Sequence, residues 1–134
     1  MQTTHSVLMI RPTRFSFNQD TAGNNHFQRP PGAAEDVQAK ALQEFDGYVA
    51  TLREHGVRVL VHEDGAAPHT PDSIFPNNCW SSHPDGTLVL YPMQGRNRRL
   101  ERYKGVLAHL HEQYQVNRTL DPVSYTHLTL PTKA

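Results

Sequence analysis

The sequence predicts an α/β fold. Three observations carry that expectation. Short apolar, partly β-branched runs occur at 7–10, 57–62 and 87–91. Between and after them lie two stretches with helical spacing, from residue 35 and from residue 98. Turn-forming residues separate the segments, and strands that alternate with helices define the class.

The first run, "VLMI", is stopped by Pro12 and has no helical stripe, so it reads as a buried strand. Residues 13–34 carry amides, glycines and prolines without a period and read as a long loop, a length often tied to function. From Glu35 the apolar residues Val37, Ala41, Leu42, Phe45, Tyr48, Val49 and Leu52 follow one helical face. Glu35 and Asp36 suit the positive end of that helix, Arg53 and His55 the other, and Gly56 a left-handed stop. "VRVLVH" is the next strand. "HPDG" has hairpin-turn chemistry and "TLVLY" is the returning strand. Residues 98–114 read as a second helix, weakened at Gly105, and "QVNRTLD" opens a last strand.

Composition excludes several classes of function. The chain has 134 residues, enough for one domain, and 13 Lys+Arg balance 13 Asp+Glu. That neutrality gives no electrostatic grip on nucleic acid or an anionic membrane. No stretch approaches the roughly 18 apolar residues of a membrane span, and the four-residue apolar run near the N-terminus is too short for a secretion signal. A single cysteine, Cys79, excludes an internal disulfide and fits a reducing, cytoplasmic setting.

The stretch "DSIFPNNCWSSHPDG" (72–86) fits neither helix nor strand well. A planar, N–H-rich guanidino or ureido group is recognised by an in-plane acceptor and a flat apolar wall. Asp72 with Asn77 and Asn78 supplies the first, and Phe75 the second. If the segment is extended, Asn77 and Asn78 point to opposite sides, one to a ligand and one to the loop. Arg98 or Arg99 could pair with a substrate carboxylate. On spacing alone, turn and cap chemistry at these positions is the stronger reading.

Three segments change that balance. "RPTRFSFNQDTAGNNHFQ", "DSIFPNN" and "DGTLVLYPMQGRNRRLER" together resemble the guanidine-modifying amidinotransferase superfamily, most of all its citrulline-utilisation hydrolase, arginine-deiminase-related branch. The resemblance covers about residues 6–121. It implies a pentein fold, a β/α-propeller of five ββαβ-type modules, of which this chain would hold about two. It implies attack on an amidino or ureido carbon by a cysteine thiolate, helped by a histidine and an acid, without metal or cofactor. It implies substrate-binding roles for Asp72, Phe75, Asn77, Asn78 and Arg98. Asn78 stands where related branches place an acid that grips guanidinium, and an amide there suits a neutral, citrulline-like ureido group. Asn24 and Asn25 belong to the first motif; a wall of the substrate cleft and simple turn stabilisation are equal readings.

The family's nucleophile, histidine and acid are expected beyond the end of this chain. Cys79 reads as a buried structural thiol, not a nucleophile. His109 and His111 are two residues apart on a helix, face different sides, and read as surface histidines without metal. Residues 1–121 thus read as the N-terminal part of a hydrolase domain acting on citrulline- or arginine-like small molecules, binding without catalysing. Residues 122–134 read as a non-native or disordered tail. The alternatives are a small non-catalytic amino-acid-binding module and a partial reading frame without function.

Overall fold

The computed structural model describes residues 3–23 and 36–122. Asn24, Asn25 and the expected tail beyond Pro122 lie outside the described residues. The α/β class holds. β1 (Ser6–Arg11) leads through α1 (Val37–Glu54) to β2 (Arg58–Glu63), which lies parallel to β1 in the register Ser6↔Arg58 to Arg11↔Glu63. α1 begins where the Asp36 carboxylate accepts from the Ala39 amide at 3.0 Å, and it ends at Gly56, whose φ of 81° only glycine adopts without strain.

β-strand alternation divides this two-stranded sheet cleanly. Arg11 turns to α1 and pairs with Asp46 at 2.9 Å. On the opposite face the Ser6 hydroxyl meets the Tyr114 hydroxyl, Leu8 packs on the core cluster, and His62 meets His109. The helical stripe read from the sequence is covered only in part. Val49 is buried, but Tyr48 is exposed, and Val37, Ala41, Phe45 and Tyr48 line an apolar groove of about 530 Å³ with Met9, Pro12 and Phe15.

The second sheet is β3 (Trp80–Ser82), β4 (Thr87–Leu90) and β5 (Arg118–Leu120). β3 and β4 form the expected hairpin, Trp80 opposite Leu90, and β5 returns parallel to β4. Gly86 closes the turn at φ 80°; a Cβ there would lie 2.5 Å from the Asn117 side chain, so both backbone and space require glycine. Leu88 and Leu90 of β4 and Leu110 form the buried core, against which Leu8, Trp80, Leu107 and Tyr114 pack.

The expected helix over 98–114 is not continuous. It is divided into α2 (Arg96–Arg99), a 3₁₀ turn (Glu101–Tyr103) and α3 (Val106–Gln113). The break is at Gly105, whose φ of 85° is left-handed. An earlier break falls at Leu100, where α2 stops with Arg98 buried. No helix among the described residues is long and apolar enough to cross a membrane.

Candidate functional site

Residues 70–79 descend through consecutive tight turns. The Ser73 amide donates to Thr70 O, Phe75 to Asp72 O at 3.0 Å, Asn78 to Phe75 O and Cys79 to Pro76 O at 2.9 Å. Pro76 presets the first position of a 3₁₀ turn over Pro76–Asn78, because its fixed φ suits a helical start and its missing N–H is not needed there. The extended arrangement expected for Asn77 and Asn78 is therefore replaced by one near 120° apart, and both side chains emerge on the exposed side.

Beneath this turn lies Arg98. It is 9% exposed and gathers the segment onto itself. Its Nε donates to Glu101 Oε1 at 3.0 Å, its Nη1 to Asn78 Oδ1 at 2.9 Å, and its Nη2 to the Phe75 carbonyl at 2.9 Å. Longer contacts reach the Asp72 carbonyl and Glu101 Oε2. Burial by itself pulls this guanidinium down, but the hydrogen bond and charge of Glu101 outweigh burial and hold it above its ordinary value. Arg99 points elsewhere and clamps the Met93 and Gln94 carbonyls.

The Asp72 carboxylate is also held. Asn18, with no exposed surface, donates to Asp72 Oδ2 at 2.6 Å, and Thr21 donates to the same oxygen at 3.2 Å. Asn18 exchanges amide bonds with Asn97 and accepts from the Asp20 amide. One buried asparagine thus ties the loop after β1, the Asp72 turn and the start of α2. The structure brings Asp72, Phe75, Asn78 and Arg98 together, with Asn77 exposed beside them and Phe75 half-exposed. Sequence reasoning missed Asn18, Asn97 and Glu101. Asn18 sits inside the motif "RPTRFSFNQDTAGNNHFQ" and Asn97 and Glu101 inside "DGTLVLYPMQGRNRRLER", and that placement was the available signal.

Cys79 is buried, as its sequence context suggested. Its thiol donates to Glu101 Oε2 at 2.9 Å. Burial, then the Glu101 carboxylate, pushes it up to about 12, against a smaller pull from Arg98. His83 bonds to Ser81 and not to Cys79. A thiol held protonated is a poor nucleophile. Native Cys79 should therefore react with iodoacetamide at pH 8 on the order of a hundredfold more slowly than in urea. The raised value also has a sign for stability. The contribution is fully present below the thiol's ordinary 9.0 and is lost as pH rises towards about 12, because the unfolded chain ionises first. Urea melts between pH 8 and 10.5 should show a steeper alkaline loss for the parent than for Cys79→Ala; equal slopes would contradict the assignment.

His109 is half-buried, against the surface position expected, with its Nδ1 3.1 Å from that of His62; His111 is exposed. Among the described residues no group of three or more His, Cys, Asp or Glu side chains is arranged to hold a metal ion.

The family model described as N,N dimethylarginine dimethylhydrolase, eukaryotic, matches residues 11–129. That span contains the Asn18, Asp72, Asn78 and Arg98 cluster. No curated protein and no solved structure matches the chain.

Proposed function

This chain belongs to the eukaryotic N,N-dimethylarginine dimethylhydrolase family, and from that premise we propose that it carries the substrate-binding part of a hydrolase acting on the guanidino or ureido carbon of arginine- or citrulline-like small molecules. The family is a pentein-type, arginine-modifying one. The observation that carries the reading is the exposed Phe75–Asn77–Asn78 turn standing over buried Arg98, with Asp72 fixed beside it. An exposed aromatic residue and two amides stand there, with the buried Asp72 carboxylate held close by through Asn18 and Thr21, group types that suit a planar nitrogen-rich head. Asn24 and Asn25 complete the proposed set on the strength of the sequence resemblance alone.

On this reading residues 1–121 form about two modules of a β/α-propeller within a longer hydrolase, whose nucleophile and base lie elsewhere. The hairpin–helix–strand order of β3, β4, α3 and β5 supports the module assignment. The buried, protonated state of Cys79 supports the absence of a nucleophile in this part. The citrulline-utilising branch is favoured by the amide at position 78, and the cytoplasm by the lone thiol.

The test is a titration of the ¹⁵N-labelled chain with citrulline, arginine and, as control, ornithine. Saturable shifts should cluster at the amides of 72–78 for citrulline or arginine and be absent with ornithine, which lacks the planar head. Shifts scattered over the surface, or equal with ornithine, would refute the assignment. Asn78→Asp should move the arginine-to-citrulline affinity ratio towards arginine by roughly tenfold, the size of a charge-assisted bond in a partly exposed site. An unchanged ratio would remove Asn78 from specificity.

A further inference from the structure

Asn18 uses every hydrogen-bonding position of its side chain, and it has no exposed surface. Nδ2 donates to Asp72 Oδ2 at 2.6 Å and to Asn97 Oδ1 at 3.2 Å. Oδ1 accepts from the Asp20 amide at 3.1 Å and from Asn97 Nδ2 at 2.7 Å. A backbone N–H can only donate and an ionised carboxylate only accept, so the Asn18 amide has one possible orientation. Its partner Asp72 is used on one side only. Asn18 and Thr21 both donate to Oδ2, while Oδ1 accepts no hydrogen bond among the described residues. Arg98 donates to the Asp72 backbone carbonyl, at 3.4 Å, and not to its carboxylate. Yet Asp72 is 7% exposed. Among the described residues every fully buried side-chain nitrogen or oxygen has a partner, so Oδ1 must be the atom that reaches solvent.

We propose that Asn18 is a positioning residue: by taking up Oδ2 it turns Oδ1 of Asp72 outward as the acceptor that meets an N–H of a bound ligand. This rests on the proposed function and adds to it a residue that no ligand can touch. An aspartate carboxylate rotates broadly about its last torsion, so an unheld Asp72 would present either oxygen, or a blend of orientations. Two donors on Oδ2 remove that freedom. A tie between loops accounts for Oδ2 alone. It leaves unexplained a carboxylate more than nine-tenths buried that keeps one oxygen without a donor, an arrangement that burial penalises until a donor arrives. Asn97, which exchanges bonds with Asn18, immediately precedes Arg98. The same amide therefore sets Asp72 against the start of α2.

The experiment follows the Asn18 side-chain NH₂ group in ¹H–¹⁵N spectra of the full chain during an arginine titration. Buried Asn18 senses the ligand only through the groups it holds. Its two protons should shift with the same half-saturation as the backbone amides of 72–78, and the proton given to Asp72 should move more than the one given to Asn97. Asn18→Leu, which keeps the size and removes both donors, should weaken arginine binding on the order of tenfold, the worth of a hydrogen bond that fixes a charged group. If Asn18→Leu does not fold, the Asn18 protons of the parent decide alone. Saturable shifts at 72–78 with a silent Asn18 NH₂, a larger shift on its Asn97 side, or parent affinity in Asn18→Leu would each overturn the proposal and leave the proposed function standing. A titration without saturable shifts anywhere would remove both.

Discussion

Arg98→Met should cost about 3–5 kcal/mol of unfolding free energy, the usual effect of removing one partner from a buried ion pair. The side chains of Arg98 and Glu101 are only 10% and 5% exposed. Met fills much of the volume but leaves the Glu101 carboxylate buried, facing the Cys79 thiol without a compensating charge. The Phe75 carbonyl and Asn78 Oδ1 lose a charged donor at the same time. Desolvation of an unpaired carboxylate dominates these losses, because each neutral hydrogen bond is worth only about 1 kcal/mol net. The double variant Arg98→Met, Glu101→Leu should recover most of the loss, since apolar replacement of a whole buried pair is often close to neutral. Urea melts of the three proteins test this. A single variant within about 1 kcal/mol of the parent would show that water reaches the pair. A double variant as unstable as the single one would place the loss in the turn's hydrogen bonds and not in the stranded charge.

The elements were legible in the sequence wherever a local pattern decides the structure. β1, β2 and β4 follow from short β-branched runs, and α1 from its stripe, its acidic start and its Gly56 stop, with the cap at Asp36 added by the structure. Two local readings changed for local reasons. Pro76 starts a 3₁₀ turn and abolishes the extended register of Asn77 and Asn78, while Gly105 splits the second helix. The site was legible by residue type but not by connectivity. Asp72, Phe75, Asn78 and Arg98 do gather, yet contacts that fix them come from Asn18, itself held by Asn97, and from Glu101. Nothing periodic marks the two asparagines, whereas Glu101 stands at the i, i+3 spacing from Arg98. Asn18 lies 54 positions from Asp72, and an asparagine amid loop residues has the same local appearance whether it caps a turn or is wholly buried. Long-range polar pairing is a property of the folded arrangement, where each buried donor must find an acceptor, and among the described residues no buried side-chain nitrogen or oxygen lacks one.

The same rule governs a second hub, away from the exposed turn, where Lys104→Met should cost about 3–5 kcal/mol and loosen the Asp72 turn as well. Lys104 Nζ lies 2.9 Å from Asp64 Oδ1 and donates to Thr70 Oγ1 at 2.7 Å, with both charged side chains under a tenth exposed. Asp64 follows β2, and its amide bonds to the Arg11 carbonyl at the end of β1. Its carboxylate also accepts from Ser73, and the Thr13 hydroxyl donates to its carbonyl. The pair therefore anchors both ends of the loop 64–73, whose last turn carries Asp72. Without the ammonium, Asp64 keeps the Ser73 hydroxyl but has no charge to balance it. The least costly response is to let water in, which means opening that loop. Hydrogen exchange should then accelerate at the amides of Ser73 and Phe75, which close the turns onto Thr70 and Asp72. Exchange in the β4 core, at Leu88 and Leu90, should follow only the global loss of stability. The pairing of this local acceleration with a urea melt separates anchoring from bulk destabilisation. Equal acceleration at 73–75 and at 88–90 would show that Lys104 holds up the fold as a whole and has no special hold on the Asp72 turn.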